Sequence, residues 1–183
     1  MAGPRLLGSE ARWDGGGVGP TPRGGCMADD NRNRRRGNIV PPPLMYLGPL
    51  LLGLLLGRVL RVPFLPRGLS RALGWPVFGG GILLAWWFGL TMRRAETTFR
   101  IDKPVSRLIT SGPFCYSRNP GYLSFAMIYA GIGTLKNSFW AILFLPAALV
   151  MVQRRIIEKE ERYLEGRFGG EYLDYKARVR RWV

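Results

Sequence analysis

The sequence predicts an all-α integral membrane protein of about four transmembrane helices. The third and fourth form a hairpin, and an amphipathic helix follows them. Three observations point there. Apolar residues are gathered in blocks with charges pushed between them, not spread as in a soluble core. Ala72–Met92 and Phe139–Val152 carry no charge, and the first is long enough to cross a hydrocarbon core. The net charge of +15 sits largely in the flanks of these blocks, as it does beside cytoplasmic membrane segments.

Residues 1–43 are rich in Gly, Pro and Arg and lack any apolar period, which predicts a disordered basic tail. Met27 opens Met27-Ala28-Asp29-Asp30-Asn31, an alternative start that would leave 1–26 untranslated. Arg32, Arg34, Arg35 and Arg36 suit an anchor against anionic lipid. No h-region precedes Leu44, so no cleaved signal peptide is expected. A membrane domain then occupies 44–183, with spans at about 44–60, 72–92, 120–135 and 138–153.

The first span is nearly all Leu and Gly, with Arg58 snorkelling near its end. The connector to Arg71 holds two prolines. Gly79-Gly80-Gly81 in the second span would weaken a soluble helix but lets helices approach closely in lipid. Trp86 and Trp87 suit an interfacial belt. The basic loop 93–118 includes Thr97–Ile101, a short extended piece, and Gly112-Pro113, which is turn chemistry. Asn119-Pro120 reads as a helix start, with Asn as N-cap and Pro at the first helical position. Each hairpin arm has about fifteen residues, or roughly 23 Å, short of a full hydrocarbon core. The basic loop and tail place both hairpin ends in the cytoplasm, and an even number of spans puts the N-terminus there too. The arginines of the 58–71 connector run against that rule.

Histidine is absent, which excludes His-based triads, bases and metal sites. Cys26 and Cys115 are far apart without a Cys-x-x-Cys partner, so neither a disulfide framework nor a metal knuckle is expected. No recognition helix or stacking platform accompanies the basic charge, and nucleic acid is not an expected partner.

The residues that carry chemistry form two clusters, one at each end of the hairpin. The first is Arg118-Asn119-Pro120-Gly121-Tyr122. The second is Glu160-Glu161, which flank Leu164 on the apolar face of the amphipathic segment 154–183, within about 60° of it at 100° per residue. Arg155, Lys159 and Arg162 point the other way. Phe168-Gly169-Gly170 breaks the helix, and Tyr172, Tyr175, Val179 and Trp182 resume the stripe as an interfacial lid, with Lys176, Arg178, Arg180 and Arg181 around it. An acid on an apolar face is costly unless paired. Arginines at the membrane edge could supply that pairing, which is a purely structural reading. The functional reading sets the acids against a helix N-terminus beside Arg118, with Tyr116, Tyr122 and Tyr163 between. Such a site suits a zwitterion bearing a carboxylate, an ammonium and hydroxyls.

Gly112-Pro113-Phe114-Cys115-Tyr116-Ser117-Arg118-Asn119-Pro120-Gly121-Tyr122 resembles the GPYxxxRHPxY motif of the isoprenylcysteine carboxyl methyltransferase family, which is related to the membrane phospholipid methyltransferases. Glu160-Glu161-Arg162-Tyr163-Leu164, Phe168-Gly169, Tyr172 and Tyr175 resemble its EExxL…FGxxYxxY tail. The likeness covers roughly 75–183. It implies an all-helical membrane methyltransferase using S-adenosylmethionine. By matching position, Tyr116, Arg118, Asn119, Pro120, Tyr122, Glu160 and Glu161 bind the cofactor, Arg118 and Glu161 are catalytic, and no metal is used. Asn119 stands where the family has His, Phe114 where it has Tyr, and Ile156 where an Arg often precedes the acids.

Methyl transfer from a sulfonium asks mainly for alignment and exclusion of water. A carboxylate nucleophile needs no base, whereas an amine must arrive deprotonated. The absence of His therefore leans toward a carboxylate on an amphiphilic, lipid-borne acceptor that enters between the second span and the hairpin. A phospholipid N-methyltransferase is the rival reading. A non-catalytic membrane adaptor is another, and a sterol-type reductase has no GxGxxG motif behind it.

Overall fold

The computed structural model describes residues 41–95 and 108–183. The tail readings for 1–40, the alternative start, the Arg32–Arg36 anchor, Cys26 and the extended Thr97–Ile101 lie outside the described residues. Within them the chain is helical and contains no strand. The helices are α1 (Pro42–Val59), α2 (Arg67–Arg94), α3 (Pro120–Leu135), α4 (Phe139–Val152), α5 (Glu158–Phe168) and α6 (Gly170–Arg178).

Prolines set most of the starts. Pro42 and Pro43 open α1, two residues earlier than the apolar block suggested, and Pro120 opens α3. A proline there gives up an N–H that has no intrahelical partner anyway. Pro49, Pro76 and Pro146 lie inside α1, α2 and α4. Interior prolines are tolerated in membrane helices, where neighbouring groups re-satisfy the freed carbonyls.

The second hairpin arm does not stop at Val152. A π-helical turn, Gln153–Ile157, joins α4 to α5 without a break, and Phe139–Phe168 forms one 30-residue helix. The shortfall expected for this arm is therefore absent. Among the described residues three helices are long and apolar enough to cross a membrane: Pro42–Val59, Arg67–Arg94 and Phe139–Phe168. At 16 residues, α3 is the short one. Leu55, Leu83 and Trp86 turn outward, as lipid-facing side chains do.

Small residues set the packing. A Cβ on Gly53 of α1 would lie 2.5 Å from Ala141 Cα of α4, and one on Gly131 of α3 would lie 2.6 Å from the Phe78 backbone of α2. A Cβ on Gly81, of the predicted triplet, would lie 2.9 Å from Ile128, while Gly79 faces open space. Such contacts let backbones touch where lipid supplies no hydrophobic drive between helices. They also close the seam between α2 and α3, from Gly74 against Leu135 to Phe88 against Gly121. The core proper lies between α1, α3 and α4, around Tyr46, Leu50, Tyr129, Ala148 and Val152.

The two turns at one end are tied together. Asn137, in the α3–α4 turn at φ 50°, accepts from the Phe64 and Leu65 N–H groups at 3.3 and 3.1 Å and donates to Leu65 O at 2.7 Å. Ser138 caps α4 by accepting from Ala141 N, and its hydroxyl donates to Gly53 O at 3.0 Å. The α1–α2 connector thus shares an end with the hairpin turn. The 108–119 segment, α5, α6 and the C-terminal residues gather at the other.

Candidate active site

The site end is built from the start of α3, the first turns of α5 and the last residues of the chain. Gly112–Cys115 form a 3-10 turn in which Pro113 O accepts from the N–H groups of Tyr116 and Ser117, each at 3.2 Å. Gly112 sits at φ 65° against Thr91, where a side chain would clash at 2.7 Å. The turn delivers Arg118 inward, and the C-terminus folds back over it. Arg118 N donates to Arg180 O at 3.0 Å. Ser117 Oγ and Asn119 Nδ2 both donate to Arg181 O, at 3.2 and 3.3 Å.

Asn119 occupies the cap position of α3 but makes no side-chain cap bond. Its amide is spent on Arg181, and Ser117 Oγ instead accepts from Asn119 N at 3.2 Å. The expected Asn cap is corrected accordingly: tertiary pairing outcompetes the local bond.

Glu161 is buried, with 8% of its side chain exposed. It meets two arginines. Arg181 grips both carboxylate oxygens, Nε to Oε1 at 2.9 Å and Nη2 to Oε2 at 2.6 Å. Arg118 Nη1 lies 3.2 Å from Oε1, with its own side chain nine-tenths buried. The cations of α5 do turn away, yet Glu161 is paired from outside its own helix. A two-point Arg–carboxylate contact is among the stronger pairings available, and the Arg181 pKa rises chiefly through that hydrogen bond. Arg118 Nε makes no hydrogen bond, while Nη1 faces Glu161 as an ion pair. A buried guanidinium with an idle donor can donate to a further oxyanion.

Glu160, one residue before Glu161 on α5, meets a different partner: Tyr122 Oη donates to its Oε1 at 2.7 Å. Tyr122 is itself held from α1, through Tyr46 Oη donating to Tyr122 O at 3.2 Å. Pro120 is buried at the base of α3. The motif residues thus fall into two pairs, Arg118 with Glu161 and Tyr122 with Glu160. Tyr116 and Tyr163 stand apart. Tyr116 is 71% exposed, with its ring 6.1 Å from that of Trp87, and Tyr163 is exposed on α5.

Sequence reasoning placed Arg181 only among the cations around a lid and gave Ser117 no role. Both are central here. The usable signal was the buried acid itself, which demands a cation that α5 does not supply. The Gly169 break, at φ 52°, is what allows the chain to bring Arg181 back. Tyr172 and Tyr175 of the predicted stripe are buried. Tyr175 Oη donates to Phe114 O at 2.7 Å. Burial pushes both hydroxyls above the usual tyrosine range, and Tyr172 also feels the opposing charges of Glu161 and Arg118. Trp182 Nε1 reaches Gln153 Oε1 of the π turn at 3.3 Å. Among the described residues no group of His, Cys, Asp and Glu could hold a metal ion.

The family model for phospholipid methyltransferases matches residues 69–171, which is more than half of the chain and spans both motif clusters. The chain belongs to the phospholipid methyltransferase family. It is a membrane methyltransferase in that sense, with α1 and the Tyr172–Val183 tail lying outside the matched residues. An uncharacterised protein of Haemophilus influenzae is 36% identical over 62 residues, covering 98% of that protein and 34% of this chain. No solved structure matches.

Proposed function

We propose that the protein transfers a methyl group from S-adenosylmethionine to an amphiphilic acceptor carried in the membrane, at the end where α3, α5 and the C-terminal residues meet. The observation that supports this most is Arg118, which is nine-tenths buried beside the start of α3, with Nη1 paired to Glu161 and Nε without a partner. That is a fitting seat for the cofactor's carboxylate. Glu161, itself gripped by Arg181, would hold the guanidinium in place. Glu160 and Tyr122 offer acceptors for an ammonium or hydroxyls, with Asn119 and Pro120 shaping the wall and Tyr116 at its exposed rim. When bound, the cofactor supplies an electrophilic methyl group, and the protein's task is alignment and exclusion of water.

Two acceptors fit this reading. A carboxylate, as in the isoprenylcysteine carboxyl methyltransferase likeness, needs no base. A lipid amine is favoured by the Tyr122–Glu160 pair, which could take up its proton, and by the family description. Reading both hairpin ends as cytoplasmic places the site on the side where soluble cofactor is available.

The test is to feed cofactor with a labelled methyl group to membranes containing the protein and to partition the product. Label released by mild base marks a carboxyl ester, and base-stable label in extracted phospholipid marks an amine. Calorimetric titration of purified protein that detects no S-adenosylmethionine binding would instead support the adaptor reading.

A further inference from the structure

The end opposite the candidate site has a charge pattern that methyl transfer does not use. Between Pro41 and Ala95, and again between Leu108 and Ile157, there is no Asp or Glu. Arg58, Arg61, Arg67, Arg71 and Lys136 all fall at the connector end, and all are exposed. No described acid lies in either segment, so these five cations have no protein counter-ion within the elements that carry them. At the site end, by contrast, cations alternate with Glu158, Glu160, Glu161, Glu165, Glu171 and Asp174.

The cations are also held in place. The three hydrogen bonds of Asn137 pin Phe64 and Leu65 to the hairpin turn. Trp140 Nε1 donates to Leu60 O at 3.0 Å, and Ser70 Oγ donates to Thr134 O across the α2–α3 seam. The connector is therefore a preformed platform on which Arg61 and Arg67 flank a fixed turn. Between the arginines stand exposed apolar side chains: Leu60, Val62, Phe64 and Leu69, with Trp75 two turns further into α2. The platform caps two helices long enough to cross a membrane, which sets it at headgroup depth.

We infer that this platform is a binding surface for anionic phospholipid headgroups in the leaflet opposite the candidate site, with Arg58, Arg61, Arg67 and Arg71 contacting phosphates. Exposed cations without counter-ions attract anionic lipid, and guanidinium forks match phosphate oxygens. The interleaved apolar side chains favour an amphiphile over a soluble polyanion, since they would have to be desolvated beside the charges. This surface also accounts for four connector arginines on the side where the positive-inside rule expects few. Their charge is met by lipid.

The test uses the full chain in lipid nanodiscs with trace spin-labelled phosphatidylglycerol or phosphatidylcholine. The fraction of motionally restricted label reports association with each lipid. The expected result is a several-fold preference for phosphatidylglycerol that largely disappears when Arg58, Arg61, Arg67 and Arg71 are all changed to Gln. A matched variant with Arg93, Arg94, Lys159 and Arg162 changed to Gln removes equal charge from the acid-bearing end and should keep most of the preference. Circular dichroism of both variants checks that the helices persist. Equal loss in the two variants, or no loss in the first, overturns the assignment. So does heparin or RNA binding to the platform in neutral nanodiscs as tightly as phosphatidylglycerol is held, which would make it a general polyanion site.

Discussion

The two ends of the helical bundle are both arginine-rich, yet they treat their arginines in opposite ways. At the site end the chain buries guanidinium groups and brings acids to them: Glu161 sits between Arg118 and Arg181. At the connector end it exposes them, and no acid lies there among the described residues. A buried cation must find a counter-charge in the protein, because desolvation otherwise disfavours it strongly. A cation at headgroup depth can find one in lipid. The same residue type therefore reports on two environments, and acids mark which end was built around an internal site.

The largest effect should come from breaking the buried network. Glu161→Gln leaves Arg118 buried without compensation, and losing one partner of a buried pair costs roughly 3–5 kcal/mol. The melting temperature in detergent should fall steeply, and S-adenosylmethionine affinity about tenfold to over a hundredfold. Stability and binding are separated by the double change Arg118→Met with Glu161→Leu, since replacing both members of such a pair by apolar residues is often neutral. The double variant should regain much of the melting temperature and still fail to bind cofactor. Recovery of both would make the network structural only.

Next in size is the tie at the opposite end. Asn137→Gly keeps the backbone freedom required at φ 50° while deleting three hydrogen bonds to the connector. At about 0.5–1.5 kcal/mol each, discounted because part of the tie is exposed, the loss should be about 2 kcal/mol. Cofactor affinity should not change, since the tie lies at the far end. A change in affinity would mean the two ends are coupled through the bundle.

Much of this contrast was legible in the sequence, because apolar block length and the position of charges are one-dimensional signals. The helices, the hairpin and the shared end of the two motif clusters follow from them. What stayed hidden depends on register and return. The π turn at Gln153–Ile157 looks like any helix in a hydropathy pattern, and the charge pattern alone ends the second arm near residue 153. Arg181 lies twenty residues beyond Glu161, past a glycine break, and only the folded chain brings them together. The closed α2–α3 seam turns on which glycines face which backbone, and Gly79 and Gly81 differ there by two positions.

A smaller effect is expected from Tyr122→Phe, which removes the hydroxyl donating to Glu160 and keeps the ring. Stability should fall by about 1 kcal/mol. The informative readout is turnover: with an amine acceptor, kcat should fall several-fold and recover in part at higher pH, where more amine arrives deprotonated. With a carboxylate acceptor the variant should keep its rate at all pH values. The comparison thus reaches the acceptor through one hydroxyl.

The smallest effect should come from an ion pair that lies at the site end but outside its buried network. Glu165 of α5 pairs with Lys176 of α6, and about a third of each side chain is exposed. Exposed pairs of this kind contribute about 0–1 kcal/mol, because solvent screens the attraction and ordering two long side chains offsets it. Glu165→Gln should leave cofactor affinity unchanged and lower the melting temperature marginally, with the difference vanishing at high salt. It removes the same charge from the same helix as Glu161→Gln, four residues away and roughly one turn along. If the two variants behaved alike, burial would not be what separates one glutamate from the other, and the contrast between internal and surface charge at this end would fail.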